Sequence, residues 1–125
     1  GAAKPRGTVS LTGVQFAREA VKLGKPETAV RLLNEMIDKK GTDGDLYAER
    51  SEAHVSMGHH SKARDDAHTS LYLKPHVPRG HLLKGQAEMK LCDFDGAMLT
   101  FQKGCKANPK DMELREHWRM SKEVC

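Results

Sequence analysis

Aromatic side chains are scarce in this chain, with one Trp, two Tyr and three Phe among 125 residues. Its interior must therefore be filled by Ala, Leu and Met, a balance that goes with helix-rich proteins. Long apolar runs are also missing, and none reaches the roughly 20 residues that a membrane-spanning helix needs. No charged-then-apolar leader precedes residue 10, so a soluble protein in a cytoplasmic setting is the expectation. Cysteine is limited to Cys92, Cys105 and Cys125, which are odd in number, widely spaced and free of any C-x-x-C pair. That count argues against a disulfide framework and a zinc site and leaves free thiols.

Catalytic signatures are absent as well. The sequence has no nucleophile elbow, no phosphate-cradling glycine loop and no His pair at helical i, i+4 spacing. Cys92 and His60 could be forced into a nucleophile pair, but Cys92 occupies a turn position and reads as structural. No enzymatic activity, metal or cofactor is expected. Charge of one sign does not dominate either. The 21 Lys and Arg are interleaved with 17 Asp and Glu, giving a net charge of +4. Stretches such as Lys62-Ala63-Arg64-Asp65-Asp66 are the pattern of solvated helix faces, and nucleic acid is not an expected partner.

What the chain does have is a period. Gly24, Gly58 and Cys92 stand 34 residues apart, and each is followed five residues later by an alanine, Ala29, Ala63 and Ala97. Pro75 and Pro109 keep the same register. A fixed repeat of this length signals stacked helix-turn-helix units within a single domain. Taking Ser10, Gly44 and Pro78 as equivalent starts, the repeats are residues 10–43, 44–77 and 78–111. Residues 1–9 form a tail that reads as flexible or as an expression remnant.

Each repeat divides into two helices. The first helices are expected over about Ser10 to Leu23, Gly44 to Met57 and Pro78 to Leu91. The second are expected over about Pro26 to Asp38, His60 to Leu73 and Phe94 to Ala107. Gly24 and Gly58 suit the left-handed residue that ends a helix, and Pro26 suits a first turn. Asp93 is a candidate cap, and Thr42 with Asp45 forms a weak capping box. Ala17, Ser51 and Gly85 are expected to face Ala29, Ala63 and Ala97, because helices approach closely only where side chains are short. Leu33, Ala67 and Phe101 form one core row, and Ile37, Leu71 and Cys105 another. Ala67 leaves its row thin, a gap that Tyr47 and Tyr72 are placed to fill. Beyond Pro109, residues 110–125 read as a capping helix with Leu114 and Trp118 on its buried face.

These residues resemble the tetratricopeptide-repeat family over Ser10 to Pro109. The match is best in repeat three through Gly85, Ala87, Phe94, Ala97, Phe101 and Pro109, and in repeat two through Tyr47, Ala53, Gly58, Ala63, Leu71, Leu73 and Pro75. Repeat one keeps Ala17, Gly24, Ala29 and Leu33. The resemblance implies an all-α, right-handed α-solenoid of three helix pairs with a C-terminal capping helix. The stretches LYAERSEAH and LKPHVPRGHLLKG are similar to three-repeat domains of chaperone-organising co-chaperones. It therefore implies a protein or peptide partner, with the C-terminal tail of a heat-shock chaperone as a candidate. Those domains hold the tail's carboxylate with Lys and Asn from repeat one, Asn from repeat two, and Lys and Arg from repeat three. Position by position the clamp falls on Val14, Arg18, Glu49, Arg79 and Leu83. Arg79 alone keeps the required character, and Glu49 sets a carboxylate against a carboxylate.

Resemblance also implies that the first helices line a concave peptide-binding groove. The candidate lining residues are Val14, Arg18, Lys22, Glu49, Glu52, Arg79, Leu82, Leu83, Gln86 and Lys90, with Leu11, Val21, Asp45, Ala48, Val55 and Met89 beside them. The groove then has an acidic centre between basic flanks. A peptide with a basic or amide group at its middle and acids at its ends complements that pattern. Pairing of Arg18 with Glu52, or of Glu49 with Arg79, is the plainer reading of the same charges. Of the seven histidines, His54 and His81 are placed to be neighbours across adjacent first helices, and no convergent metal set is expected. The function expected is non-catalytic binding of a partner in the groove by a monomer. The alternative is an assembly domain that self-associates through a repeat end or its convex face.

Overall fold

The computed structural model describes residues 13–123, and among them are seven helices and no strand. They are α1 (Gly13–Lys22), α2 (Pro26–Lys39), α3 (Gly44–Ser56), α4 (His60–Leu73), α5 (Pro78–Lys90), α6 (Phe94–Ala107) and α7 (Met112–Glu123). The starts at Pro26, Gly44, His60, Pro78 and Phe94 fall where the period sets them. The expected tail, the first turn at Ser10 and the groove candidate Leu11 lie outside the described residues.

The period has a backbone cause. Gly24, Gly58 and Cys92 all adopt positive φ, at 80°, 75° and 62°. Around each of them the same pair of bonds closes the helix end. Lys25 N donates to Ala20 O, His59 N to His54 O and Asp93 N to Glu88 O, while the residue before each donates three positions back. This doubly bonded left-handed stop satisfies carbonyls that a helix end leaves unpaired. The starts are capped by side chains in three places. Asp43 accepts from Asp45 N, Asp93 from Gly96 N and Asp111 from Leu114 N. The capping box expected on Thr42 is thus replaced by its neighbour Asp43, whose carboxylate is the group that reaches the free amide.

Each first helix packs on its own second helix, and α3 and α5 also pack on the second helix of the preceding repeat. The small residues set the approach. Ala17, Ala29, Ser51, Ala63 and Ala97 are all essentially buried, and Ser51 Oγ donates to Ala63 O at 2.8 Å. A Cβ added at Gly85 would lie 2.3 Å from the Phe101 ring. Leu33, Phe101 and Leu114 are the largest fully buried side chains, each contributing about 1.5–3 kcal/mol through removal from water.

The thin row at Ala67 is filled differently from expectation. Tyr72 is 80% exposed, and Tyr47 donates its hydroxyl to Gly41 O and lies under the Arg50 guanidinium. Leu83 fills the space instead, forming a small core with Ala48 and Ala67. A side chain from the next repeat reaches the gap because α5 packs directly on α4.

The first helices also approach one another, α1 to α3, α3 to α5 and α5 to α7, whereas the backbones of the second helices α2, α4 and α6 stand farther apart. The stack therefore curves with α1, α3, α5 and α7 on its inner side. No helix among the described residues is long and apolar enough to cross a membrane.

Candidate functional site in the inner groove

The inner face presents charge first. Glu49 on α3 is only 3% exposed, and its Oε2 receives Arg18 from α1 and Arg79 from α5. Arg18 reaches it through Nε and Nη2, both at 2.8 Å, and Arg79 through Nη1 at 2.6 Å. The other arm of Arg79, Nη2, donates to Glu52 Oε1 at 2.6 Å. One buried carboxylate thus joins the first helices of all three repeats. Burial works to raise the Glu49 pKa, and the hydrogen bonds and charges of Arg79 and Arg18 outweigh it and hold the group below its ordinary value. Burial likewise opposes the charge on Arg79, which Glu49 and Glu52 reverse, raising its pKa. Of the pairings weighed from sequence, Glu49 with Arg79 is present, and Arg18 goes to Glu49 rather than Glu52.

Other candidates divide between floor and rim. Leu83 is buried against Ala48 and Ala67, so it supports the groove from beneath and offers no binding surface. Ala48 is buried with it. Val14 and Val21 are half-buried against the core of repeat one, and Leu82 and Met89 against that of repeat three. Lys22 and Lys90 are exposed in the last turns of α1 and α5. Asp45 stands apart, holding Lys74 Nζ at 2.8 Å.

Toward the C-terminal ends of α3 and α5 lies a cleft of about 350 Å³, lined by Val55, His60, Gln86, Ala87, Met89, Lys90 and His117. His117 Nδ1 lies 2.8 Å from Glu113 O, which can only accept, so that nitrogen carries the proton. Its Nε2 then accepts from Gln86 Nε2 at 3.1 Å. The ring also packs on Phe101, with centroids 5.3 Å apart. His60 turns a buried Nδ1 without a hydrogen-bond partner. Neither histidine was among the groove candidates. The signal for His117 was available: one more 34-residue step from Glu49 and Leu83 lands on it, so α7 continues the inner row.

His54 and His81 sit in different surroundings. His54 Nε2 lies 3.7 Å from Asp66 Oδ2 and its ring is near His59, while His81 Nε2 lies 3.1 Å from Pro75 O. Among the described residues no group of three or more His, Cys, Asp or Glu could hold a metal ion.

No family model matches the chain. Curated relatives do. The chain is 33% identical over 89 residues to the Protein SGT1 homolog of Bos taurus, covering 71% of this chain and 26% of that protein. It is 31% identical over 102 residues to the Hsp70-Hsp90 organising protein of Plasmodium falciparum, covering 82% and 40%. It therefore spans well under half the length of these relatives. A solved structure, the first TPR of Spaghetti (RPAP3) bound to HSP90 peptide SRMEEVD, superposes with a TM-score of 0.83 at 16% identity, covering 90% of this chain and 91% of that one. The fold is that of a tetratricopeptide-repeat domain. In this fold α1, α3 and α5 are the first helices of successive helix pairs, and α7 packs on α5 and α6.

Proposed function

We propose that the domain is a non-catalytic protein-binding module of co-chaperone or adaptor type, which holds an extended partner peptide along the inner groove. The observation that carries this reading is the cleft among Val55, Gln86, Met89 and His117, largely apolar and built on the same helices α3 and α5 as Glu49 and Arg79. An apolar recess with a few convergent polar groups is the usual form of a recognition site. The likeness to a domain that holds an HSP90 peptide supports a peptide as the partner. Contact residues are proposed at Arg18, Lys22, Glu52, Arg79, Leu82, Gln86 and Lys90, with Val55, Met89 and His117 added by the cleft. A cytoplasmic setting and a monomeric state go with this reading.

The test is a pull-down with the wild type, with Val55→Glu, which places a charge in the cleft, and with Lys103→Glu on the outer helix α6. Loss of a bound protein with the first variant and its retention with the second supports the groove. Equal capture by all three sends the partner elsewhere. Exposed Phe16 on α1 and Leu23 in the turn after it favour a second reading, self-association through the repeat-one end. Sedimentation over a range of concentrations separates the two, since a dimer that Phe16→Ser dissolves belongs to the second reading alone.

A further inference from the structure

Glu49 is an unusual residue to find buried at the centre of a binding groove. Its two oxygens are treated very differently. Oε2 takes the donors of both Arg18 and Arg79, and among the described residues no hydrogen bond reaches Oε1. The Glu49 side chain is 2% exposed, and among the described residues the fully buried side-chain atoms without a partner are all histidine nitrogens, so what little of the carboxylate is open includes Oε1. Two guanidinium groups brought together from different repeats make a site for a carboxylate, which suits their planar forks. Here the protein supplies that carboxylate itself.

We propose that Glu49 is a specificity-determining residue, a built-in anion that fills the Arg18–Arg79 site and turns the groove from peptide termini to internal peptide segments. The inference rests on the peptide-groove reading and narrows its ligand class. A ligand carboxylate entering between the arginines meets Glu49 at close range, and both guanidinium groups are already engaged, Arg79 a second time by Glu52. Like charges brought together in a partly buried site repel strongly. A main-chain N–H or a Lys ammonium meets the opposite situation, because Oε1 is an acceptor with lone pairs to give. The favoured ligand therefore passes through the groove with a hydrogen-bond donor at Glu49, and a free terminus is not part of what is recognised.

The experiment uses the peptide SRMEEVD, which ends in a free carboxylate, and the same peptide with a C-terminal amide, titrated against wild type and Glu49→Gln. Gln keeps the shape and removes the charge, and Arg18 is half exposed, so both arginines stay hydrated in the variant. Glu49→Gln is expected to bind the free acid at least about tenfold more tightly than wild type does, and more tightly than it binds the amide. Adding Arg79→Gln to the variant removes the gain. Equal affinity of wild type and variant for the free acid, or no binding by either, overturns the proposal.

A second measurement stands independently of peptide choice. Glu49→Ala leaves a carboxylate-sized gap between the arginines, and acetate is expected to raise its melting temperature more than that of wild type. An equal response of the two proteins overturns the anion-site assignment. The groove reading itself is decided by the Val55→Glu pull-down, in which this peptide plays no part.

Discussion

Arg79 Nη1 donates to Glu49 Oε2 at 2.6 Å and so ties α5 to α3 across the inner groove. Replacing Arg79 by Ala leaves a carboxylate that is 3% exposed with Arg18 as its remaining partner. Breaking a buried pair from one side costs several kcal/mol, and the surviving arginine reduces this to about 1–3 kcal/mol. Urea denaturation is expected to show that loss. Glu52→Ala removes the exposed half of the same cluster and is expected to cost under about 1 kcal/mol.

Acid is expected to lower the stability of the domain over two pH ranges. Burial keeps His54 and His81 below their ordinary value, against opposition from Asp66 for the first and the Pro75 carbonyl for the second. Arg50, Lys62 and His59 add to the lowering of His54, and Lys84 to that of His81. The unfolded chain therefore takes up protons below pH 6.5 that the folded chain refuses, and stability declines there. Glu49 is held below 4.5, so its contribution is complete above that pH and is lost as the pH falls through its lower folded value. Unfolding free energies measured across pH should show both declines. His81→Leu is expected to lessen the first, leaving the share of His54, and Glu49→Gln to flatten the second.

Gly85 is where the third repeat closes most tightly. A Cβ there lies 2.3 Å from a ring carbon of Phe101, whose side chain is fully buried and has nowhere to retreat. Gly85→Ala is expected to destabilise by about 1–3 kcal/mol in spite of the better helix propensity of alanine. Phe101→Leu in the same chain should recover part of the loss. At Gly13 the neighbour is the flexible end of Met36, so Gly13→Ala is expected to be near neutral by the same thermal-melt assay.

The residues that could be read from sequence are those whose role is fixed by the backbone. Ala29, Ala63 and Ala97 recur because two helix axes must approach at that height, and Gly24, Gly58 and Cys92 because the chain turns with positive φ. Volume is different, since any long side chain within reach can occupy it. Ala67 left a space that Leu83 fills from the neighbouring repeat, while Tyr72 turns to solvent. The charges on Arg18, Glu49 and Arg79 were visible as an acidic centre with basic flanks. Which oxygen takes which guanidinium depends on the burial of Glu49, and the period does not encode that. His117 was hidden for another reason, because the last helix was read as a cap and given no inner face.

Cys92 takes the left-handed turn position at φ 62° that glycine occupies in the two earlier repeats. A side chain there carries a steric cost of about 1–2 kcal/mol, part of which glycine's freer unfolded chain would offset. Cys92→Gly is expected to stabilise by about 0.5–1 kcal/mol, read as a higher urea midpoint with an unchanged slope. An unchanged midpoint would mean that the turn absorbs the strain.

Glu88 on α5 is another buried carboxylate, 3% exposed, with Thr100 Oγ1 donating to its Oε1 at 2.6 Å and Arg64 Nε at 3.4 Å from Oε2. It ties α5 to α6 within repeat three and to α4 of repeat two. Thr100→Val removes the hydroxyl while keeping the shape, which leaves a buried acceptor short of a donor at a cost of about 1–3 kcal/mol. Thr100→Ser keeps the hydroxyl and is expected to lose only the methyl contact, about 1 kcal/mol or less. The asymmetry between a broken pair and an absent one supplies the sharper test. Glu88→Leu with Thr100→Val removes both partners, and its cost should fall well below the sum of the single changes. Additive costs would show that the hydroxyl and the carboxylate stabilise the repeat through separate contacts.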